Sequence, residues 1–461
     1  MDSALLVHRL HFAFTVTYHY IFPQLTMGLA PVLVILKVLA MRHPDHGYAE
    51  SARLVARLFA INFVFGVVTG IPMEFQFGTN WARFSRYAGG VIGQTLAMEG
   101  MFAFFAESAF LGLFLFGEKR LSPRAHLATA FAVWGGSWLS GYFIVATDAW
   151  MQHPVGFTTG PDGSVQLASL SALLLNRWAF WQYLHTMGGA AVTGAFATAG
   201  LGAYYLLRRR QSDDERVSRV LIRTGVVVAA LASFWQLFPT GDRQASLVAR
   251  NQPVALAAME GLFETRSGAP MVLIGQPDTE QRRIDNTLEV PSILSIVTHR
   301  RPEASVQGLA AFKPEDRPDN IALLYYSYHV MVGLGTLFIG LMAIAVIAFW
   351  RDRLLTTRPL LWAILLAVPL PYIANTAGWM TAELGRQPWL VYGLLRTAAG
   401  TSHRVSAGNG LFSLLGFMGL YSFLSIAYVV IMTRVIAHGA PKVAAHPEPS
   451  LGGAHLAQAT E

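Results

Sequence analysis

The chain contains no cysteine. That excludes disulfides, iron–sulfur clusters, thiolate metal ligands and covalent haem attachment through a C-x-x-C-H motif. Any metal centre must therefore draw on His, Met or carboxylate. Charge is scarce as well: 13% of the 461 residues are Asp, Glu, Lys or Arg, against 53% hydrophobic. A soluble chain of this length needs more charge than that. No Lys/Arg run interleaves with aromatics, so the net charge of +7 carries topology rather than nucleic-acid binding. The opening MDSALLVHRLHFAF lacks a basic n-region and a small-residue cleavage site, so its apolar segment reads as a retained helix. There is also no internal repeat of the kind that marks many secondary transporters.

What is present is apolar sequence from end to end, and the fold class it implies is an all-α polytopic membrane protein. Nine spans are expected, near residues 10–38, 54–73, 93–116, 126–148, 180–207, 218–238, 321–349, 358–380 and 408–435. Each is long enough to cross a hydrocarbon layer of about 30 Å. One alternate set of short connections is rich in positive charge. It holds Arg42, Arg53 and Arg57, then Lys119, Arg120 and Arg124, then Arg208 to Arg210, Arg216 and Arg219, then Arg351, Arg353 and Arg358. The other set is poorer, and the positive-inside rule places the first in the cytoplasm. The N-terminus is then outside and the C-terminus inside, an alternation that an even number of spans would spoil. The expected organisation is helices 1–6 over 1–238, an extracytoplasmic loop over 239–320, helices 7–9 over 321–437 and a disordered cytoplasmic tail over 438–461. A loop of this length is functional or disordered rather than a plain linker.

Ionisable residues inside spans are costly and mark function. Glu99 and Glu107 lie in TLAMEGMFAFFAES, eight residues apart, near one face and about 12 Å apart in depth. With no Lys or Arg partner in the span, the pair suits proton passage, each acid neutral at rest and ionising transiently. Without cysteine, histidine is the usual haem ligand. His19 sits in TVTYHYIFPQL and His185 in FWQYLHTMGGAAVTGAF. The small residues Gly188, Gly189, Ala190, Ala191 and Gly194 would admit either a flat macrocycle or a neighbouring helix. Met331, in YYSYHVMVGLG, offers a soft axial ligand, and Glu383 stands with Arg386 in GWMTAELGRQPW. On the deduced topology His19, His185, Met331 and Glu383 share the outer half of the bilayer. His8, His11, His126 and His329 are weaker candidates.

The stretches GWMTAELGRQPW, LAMEGMFAFFAES, TVTYHYIFPQLTMGLAP, DAWMQHPVG and GDRQ…NQPVALAAMEG are similar to those of one family. The chain resembles subunit I of the cytochrome bd-type quinol oxidases along nearly its whole length, excluding the tail. The resemblance implies a bacterial inner-membrane subunit with three haems, b558, b595 and d (or a third haem b). It implies oxidation of ubiquinol or menaquinol at the outer face and reduction of dioxygen to water with cytoplasmic protons, building a proton gradient without a pump. It implies a homologous subunit II and a small single-span subunit as partners. Carried over by motif, His185 and Met331 are the axial pair of the low-spin haem, and His19 and Glu383 the ligands of the two high-spin haems. Glu99 and Glu107 match acids on the proton route, Trp379 an aromatic near the haem group, and Arg386 a basic residue free for haem propionates. Gln244 and Glu260 fall in the quinol-binding loop, here in its short form. Three positions depart from the pattern: Ala255 replaces a lysine of the loop, His329 an arginine before the methionine, and Asp148 an asparagine before WMQ. The alternatives are a haem relay that oxidises quinol without needing His19 or Glu383, a paralogue with another donor, and a haem-free proton-coupled transporter built on Glu99 and Glu107.

Overall fold

The computed structural model of the chain describes residues 3–44, 46–208 and 212–439. The expected tail falls outside the described residues from 440 onward, as do Arg209 and Arg210. The first half runs α1 (Ser3–Arg42), α2 (Tyr48–Gly78), α3 (Ala82–Met98), a π-helical turn (Glu99–Phe104), α4 (Phe105–Phe116) and α5 (Pro123–Gln152). A small hairpin and the short α6 (Leu170–Leu174) lead into α7 (Arg177–Leu207). Then come α8 (Ser212–Trp235), a second π-turn (Gln236–Gly241), α9 (Asp242–Asn251) and α10 (Pro253–Met259). After α11 (Ile293–His299) the chain returns through α12 (Ile321–Trp350), α13 (Arg358–Leu366), α14 (Leu370–Arg386), α15 (Thr397–Gly400) and α16 (Ala407–His438).

Helix starts follow capping chemistry. Ser122, Asn176, Asn320 and Ser406 each accept a backbone N–H from the first turn of α5, α7, α12 and α16. Among the described residues eight helical runs are long and apolar enough to cross a membrane, α3 to α4, α6 to α7, α8 to α9 and α13 to α14 each counting as one run. The ninth expected span, 126–148, lies within α5, which has 30 residues. Its apolar character is diluted by Thr129, Gly135, Gly136, Ser137, Ser140 and Asp148, and it packs inward against α1, α4 and α7. At the other extreme α16 buries only Gly410, Leu414 and Tyr421. It turns Phe412, Phe423, Ile426 and Val429 outward, as lipid or a second subunit requires.

The closest helix crossing is between α1 and α7. A Cβ on Gly28 would lie 2.8 Å from the Gly194 nitrogen, so the two backbones touch. The small residues after His185 thus receive neighbouring side chains and helices: Gly188 meets Gln236, Gly189 meets Asn375 and Gly194 meets Gly28.

The helical run expected to end at 238 continues to Asn251. Pro239 cannot donate to a helical ladder, and the chain passes it through the π-turn, with Phe238 outside helical geometry. The long connection is folded. It carries the hairpin Met271–Asp278 with Arg283–Val290. Its own apolar core gathers Leu256, Ala257, Met259, Phe263, Leu294 and Leu309 against Leu324 of α12. Arg9 pairs with Asp319 and Arg396 with Asp316, tying this loop to the starts of α1 and α15. We call this end of the bundle the loop end; Lys37 and Arg53 meet Glu118 at the opposite end.

Candidate functional site

Two histidines are held in the same way. The Thr69 hydroxyl is 3.0 Å from His19 Nδ1 and donates its own proton to the Phe65 carbonyl at 2.8 Å. It can therefore only accept, so Nδ1 carries the ring proton and Nε2 is left as a bare lone pair. A Cβ on Gly70 would lie 2.9 Å from His19 Cε1, so only glycine lets α2 pass this ring. His185 repeats the device: Thr240 lies 3.2 Å from Nδ1 and donates to the Trp235 carbonyl at 2.9 Å. On the other side of the ring Gln236 donates to Nε2 at 3.2 Å, and its carbonyl oxygen is buried without a partner. The second π-turn places Gln236 and Thr240 one turn apart on the same imidazole. Orientation of a histidine by a hydrogen bond on its far nitrogen is how metal-ligating imidazoles are prepared.

Met331 points its sulfur at α14, where a Cβ on Gly378 would sit 2.9 Å from Sδ. Two residues earlier, His329 has Nδ1 2.8 Å from the Tyr325 carbonyl and Nε2 2.9 Å from the Val272 carbonyl. The ring thus bridges α12 to the hairpin strand at the position where the resemblance expects arginine. One turn of α14 from Trp379 stands Glu383. Its carboxylate accepts from Arg386 and, at 3.4 Å, from Gln152 of α5. Arg386 is 3% exposed and also donates to Asp148 at 3.1 Å. Arg386, expected to be available to haem propionates, is shared here by two carboxylates, one of them Asp148 in place of a neutral residue, and its Nε is left without a partner. The Glu383 side chain nevertheless keeps 39% of its surface accessible. Tyr20, next to His19, hydrogen-bonds Thr376 on α14, bringing the His19 helix to the helix of Glu383.

Glu99 accepts from Ser140 of α5 at 2.7 Å. Glu107 is 5% exposed with one carboxylate oxygen unpartnered. It lies against Gly136, where a Cβ would meet its backbone nitrogen at 3.0 Å. Eight residues overshoot two α-helical turns of about 3.6 each. The wider π-turn between the acids absorbs the overshoot, so both face α5 two turns apart. Glu74 of α2 lies close enough to Glu99 for the carboxylates to repel. It escaped the sequence reading because the expected span stopped one residue short of it.

In the loop, Glu260 closes α10, is 3% exposed and hydrogen-bonds Tyr328. Burial pushes its carboxyl up to about 7 against that bond. Ala255 is buried against Gly385, whose added Cβ would lie 3.2 Å from it, so no room exists there for a longer side chain. Gln252 donates to the Gln152 carbonyl and side chain at 2.8 and 2.9 Å, and Gln152 donates on to Glu383. The loop is thereby linked to the α14 carboxylate through two glutamines. Neither was legible as functional, since glutamine outside a span gives no cost signal. Gln244 keeps a buried, unpartnered carbonyl oxygen on α9. A cavity of about 390 Å³ beside α9 is lined by His153, Arg177, Trp178 and Arg250, and by neither Gln244 nor Glu260.

Among the described residues, no three His, Asp or Glu side chains converge on one metal position. Isolated donors, each separately oriented, suit haem irons, which take one or two protein ligands apiece.

The sequence matches the cytochrome bd terminal oxidase subunit I family over residues 7–440. The chain belongs to this family. It is 33% identical to cytochrome bd ubiquinol oxidase subunit 1 of Bacillus subtilis (strain 168), over 97% of this chain and 96% of that one. It is 33% identical to cytochrome bd-II ubiquinol oxidase subunit 1 of Escherichia coli (strain K12), over 92% and 95% of the two chains. The solved bd oxidase from Geobacillus thermodenitrificans superposes with a TM-score of 0.87 at 30% identity, over 95% of this chain and 100% of that one. As a cytochrome bd subunit the protein is haem-bearing and resides in the bacterial inner membrane.

Proposed function

We propose that this chain oxidises quinol at the loop end and reduces dioxygen to water with protons drawn from the opposite end. The observation that carries the reading is the matched pair of histidines, His19 and His185, each with Nδ1 held by a threonine hydroxyl, so that Nε2 is the ligating nitrogen, open in His19 and accepting from Gln236 in His185. Nine crossings, with α5 as the ninth, put the loop end outside and the Arg-rich turns in the cytoplasm. Haem held at these residues would supply one-electron transfer and, at the high-spin sites, the binding and reduction of dioxygen. His185 and Met331 serve as the pair for the low-spin haem, haem b558. His19 and Glu383 serve the two high-spin haems, b595 and d or a third b, with Trp379 beside them.

Glu260 takes a proton from the quinol hydroxyl: its carboxyl, at about 7, is poised to accept near neutral pH. Gln244 offers the unpartnered carbonyl on α9 as a second contact. Gln252 and Gln152 hold the loop in register with Glu383. His329 ties α12 to the loop hairpin two residues before Met331. Glu107, Glu99 and Glu74, with Ser137 and Ser140, line the inward proton route. Protons are released at one face and consumed from the other, so charge separates without a pump. Ubiquinol and menaquinol are the donors implied by the relatives' names, and subunit II would cover one of the exposed apolar faces.

The deciding experiment is a reduced-minus-oxidised spectrum with haem extraction on the purified complex. Three haems are expected, His185→Ala removing only the low-spin signal. A relay protein would lack the high-spin bands, and a colourless preparation would sink the haem reading altogether.

A further inference from the structure

A second polar constellation lies on α1 and α2, away from the ligands. Positions 8, 11, 15 and 19 of α1 fall on one helical face. Opposite them stand Asn80, in the turn after α2, and Gln76 and Thr69 within it. His8, His11, Thr15, Gln76 and Asn80 are all under 4% exposed. The seam runs from the loop end to His19.

The partners along this seam give one consistent set of hydrogen-bond directions. His8 Nε2 lies 3.2 Å from the Val405 carbonyl, which accepts only, so a neutral His8 ring carries its proton on Nε2. Its Nδ1 is then an acceptor and takes one proton of the Asn80 amide at 3.1 Å. The second Asn80 proton goes to His11 Nδ1, also at 3.1 Å, while Thr79 donates to the Asn80 oxygen. His11 therefore carries its proton on Nε2, which is buried without a partner. Thr15 donates to the His11 carbonyl at 2.9 Å, so it accepts from Gln76 Nε2 at 2.7 Å. That leaves Gln76 Oε1 as a buried acceptor without a partner. One orphaned donor and one orphaned acceptor thus flank Thr15.

We infer that the α1–α2 seam binds ordered water between His11 and Gln76, and that Asn80, donating to both histidines, lets hydrogen bonds but not protons pass. A buried water with polar partners on both sides meets the requirements of a stable internal site. A proton hop requires each member of a chain to accept on one side and donate on the other. Asn80 donates to both histidines and accepts only from its chain neighbour Thr79, so it passes no proton from one ring to the other. The seam can admit or release water at the high-spin end without short-circuiting the charge separated across the protein. Which face the loop end occupies rests on the topology proposed above; the double donation does not.

The test uses the complete complex in pyranine-loaded proteoliposomes, with no quinol, under a potassium diffusion potential. Asn80→Asp is expected to raise the passive proton leak about fivefold or more, because a carboxylate accepts and donates. Asn80→Leu is expected to leave it at the wild-type level. Should Asn80→Asp fail to assemble, Asn80→Ser restores a hydroxyl able to relay. A leak unchanged in an assembled Asp or Ser variant overturns the insulation. A high-resolution map of the wild-type complex should show water within hydrogen-bond reach of His11 Nε2 and Gln76 Oε1, and an empty position there overturns the site.

Discussion

At the scale of single residues, the decisive groups are those that hold a ligand rather than ligate. Thr240 fixes the His185 tautomer with one hydroxyl. Thr240→Val keeps shape and removes that bond, and losses of 10- to 100-fold in metal affinity are typical of such changes. Haem titration of the purified variant should show the low-spin band weakening while the high-spin bands stay. Arg386 carries two carboxylates, so Arg386→Ala strands both. A loss of about 3–5 kcal/mol, read as a large fall in the melting temperature of the complex, is expected. Asp148→Asn in the same background should recover part of it, because it removes one of the stranded charges. Glu260 gives a pH signature. The folded chain keeps a proton there up to about 7, whereas the ordinary value is 4.5. Stability contributed by that neutral carboxyl is present below about 4.5 and lost as pH rises toward 7. Activity runs the other way, since a base must be ionised: quinol kcat/KM should rise through pH 7. Glu260→Gln should abolish that limb and cost on the order of a hundredfold; an unaltered profile removes Glu260 from the chemistry. Sequence made the ligand candidates visible because a His, Met or Glu in an apolar run carries an obvious cost. Thr69, Thr240, Gln152 and Gln252 gave no such signal, because an uncharged polar side chain is read as tolerable anywhere until its partner is seen.

At the scale of elements, the π-turns explain what periodicity alone left imprecise. A spacing of eight was legible as one face, but the turn that brings both acids onto α5 was not, since no composition marks a π-bulge. Glu107→Gln keeps volume and removes the titrating group, so oxygen uptake should fall while all three haem bands persist. Ser140→Ala should slow uptake less, removing only the donor to Glu99. If both leave proton-limited turnover unchanged, the inward route lies elsewhere. The second π-turn resolves the misplaced end of the eighth helix. Pro239 reads as a terminator in sequence, yet the wide turn carries the chain past it and delivers Thr240 to His185. The folded hairpin of the long connection was equally hidden, because its strands do not alternate cleanly: Leu273, Ile274 and Leu288 are exposed while Ile284 packs on the loop core.

At the scale of the whole molecule, absence of cysteine makes orientation directly measurable. Single cysteines at Gly163 and Asp352 should react with an impermeant maleimide from opposite sides of intact cells, the first without permeabilisation. Labelling of both from the same side would rule out an odd number of crossings between them. Alignment along the full length with the relatives already fixes the family, so what varies between members is expressed as changes in facing rather than in fold. The Glu99–Phe104 π-turn makes this concrete. A π-turn amounts to one residue more than an α-helix needs. A relative with a one-residue gap in that stretch has therefore not merely lost a side chain. Everything after the gap is turned by about 100°, so the face bearing Glu107, Leu111 and Phe114 trades places with a lipid-facing one. In this family a single gap there is a rotation, and acids aligned across it in text need not occupy the same place in space.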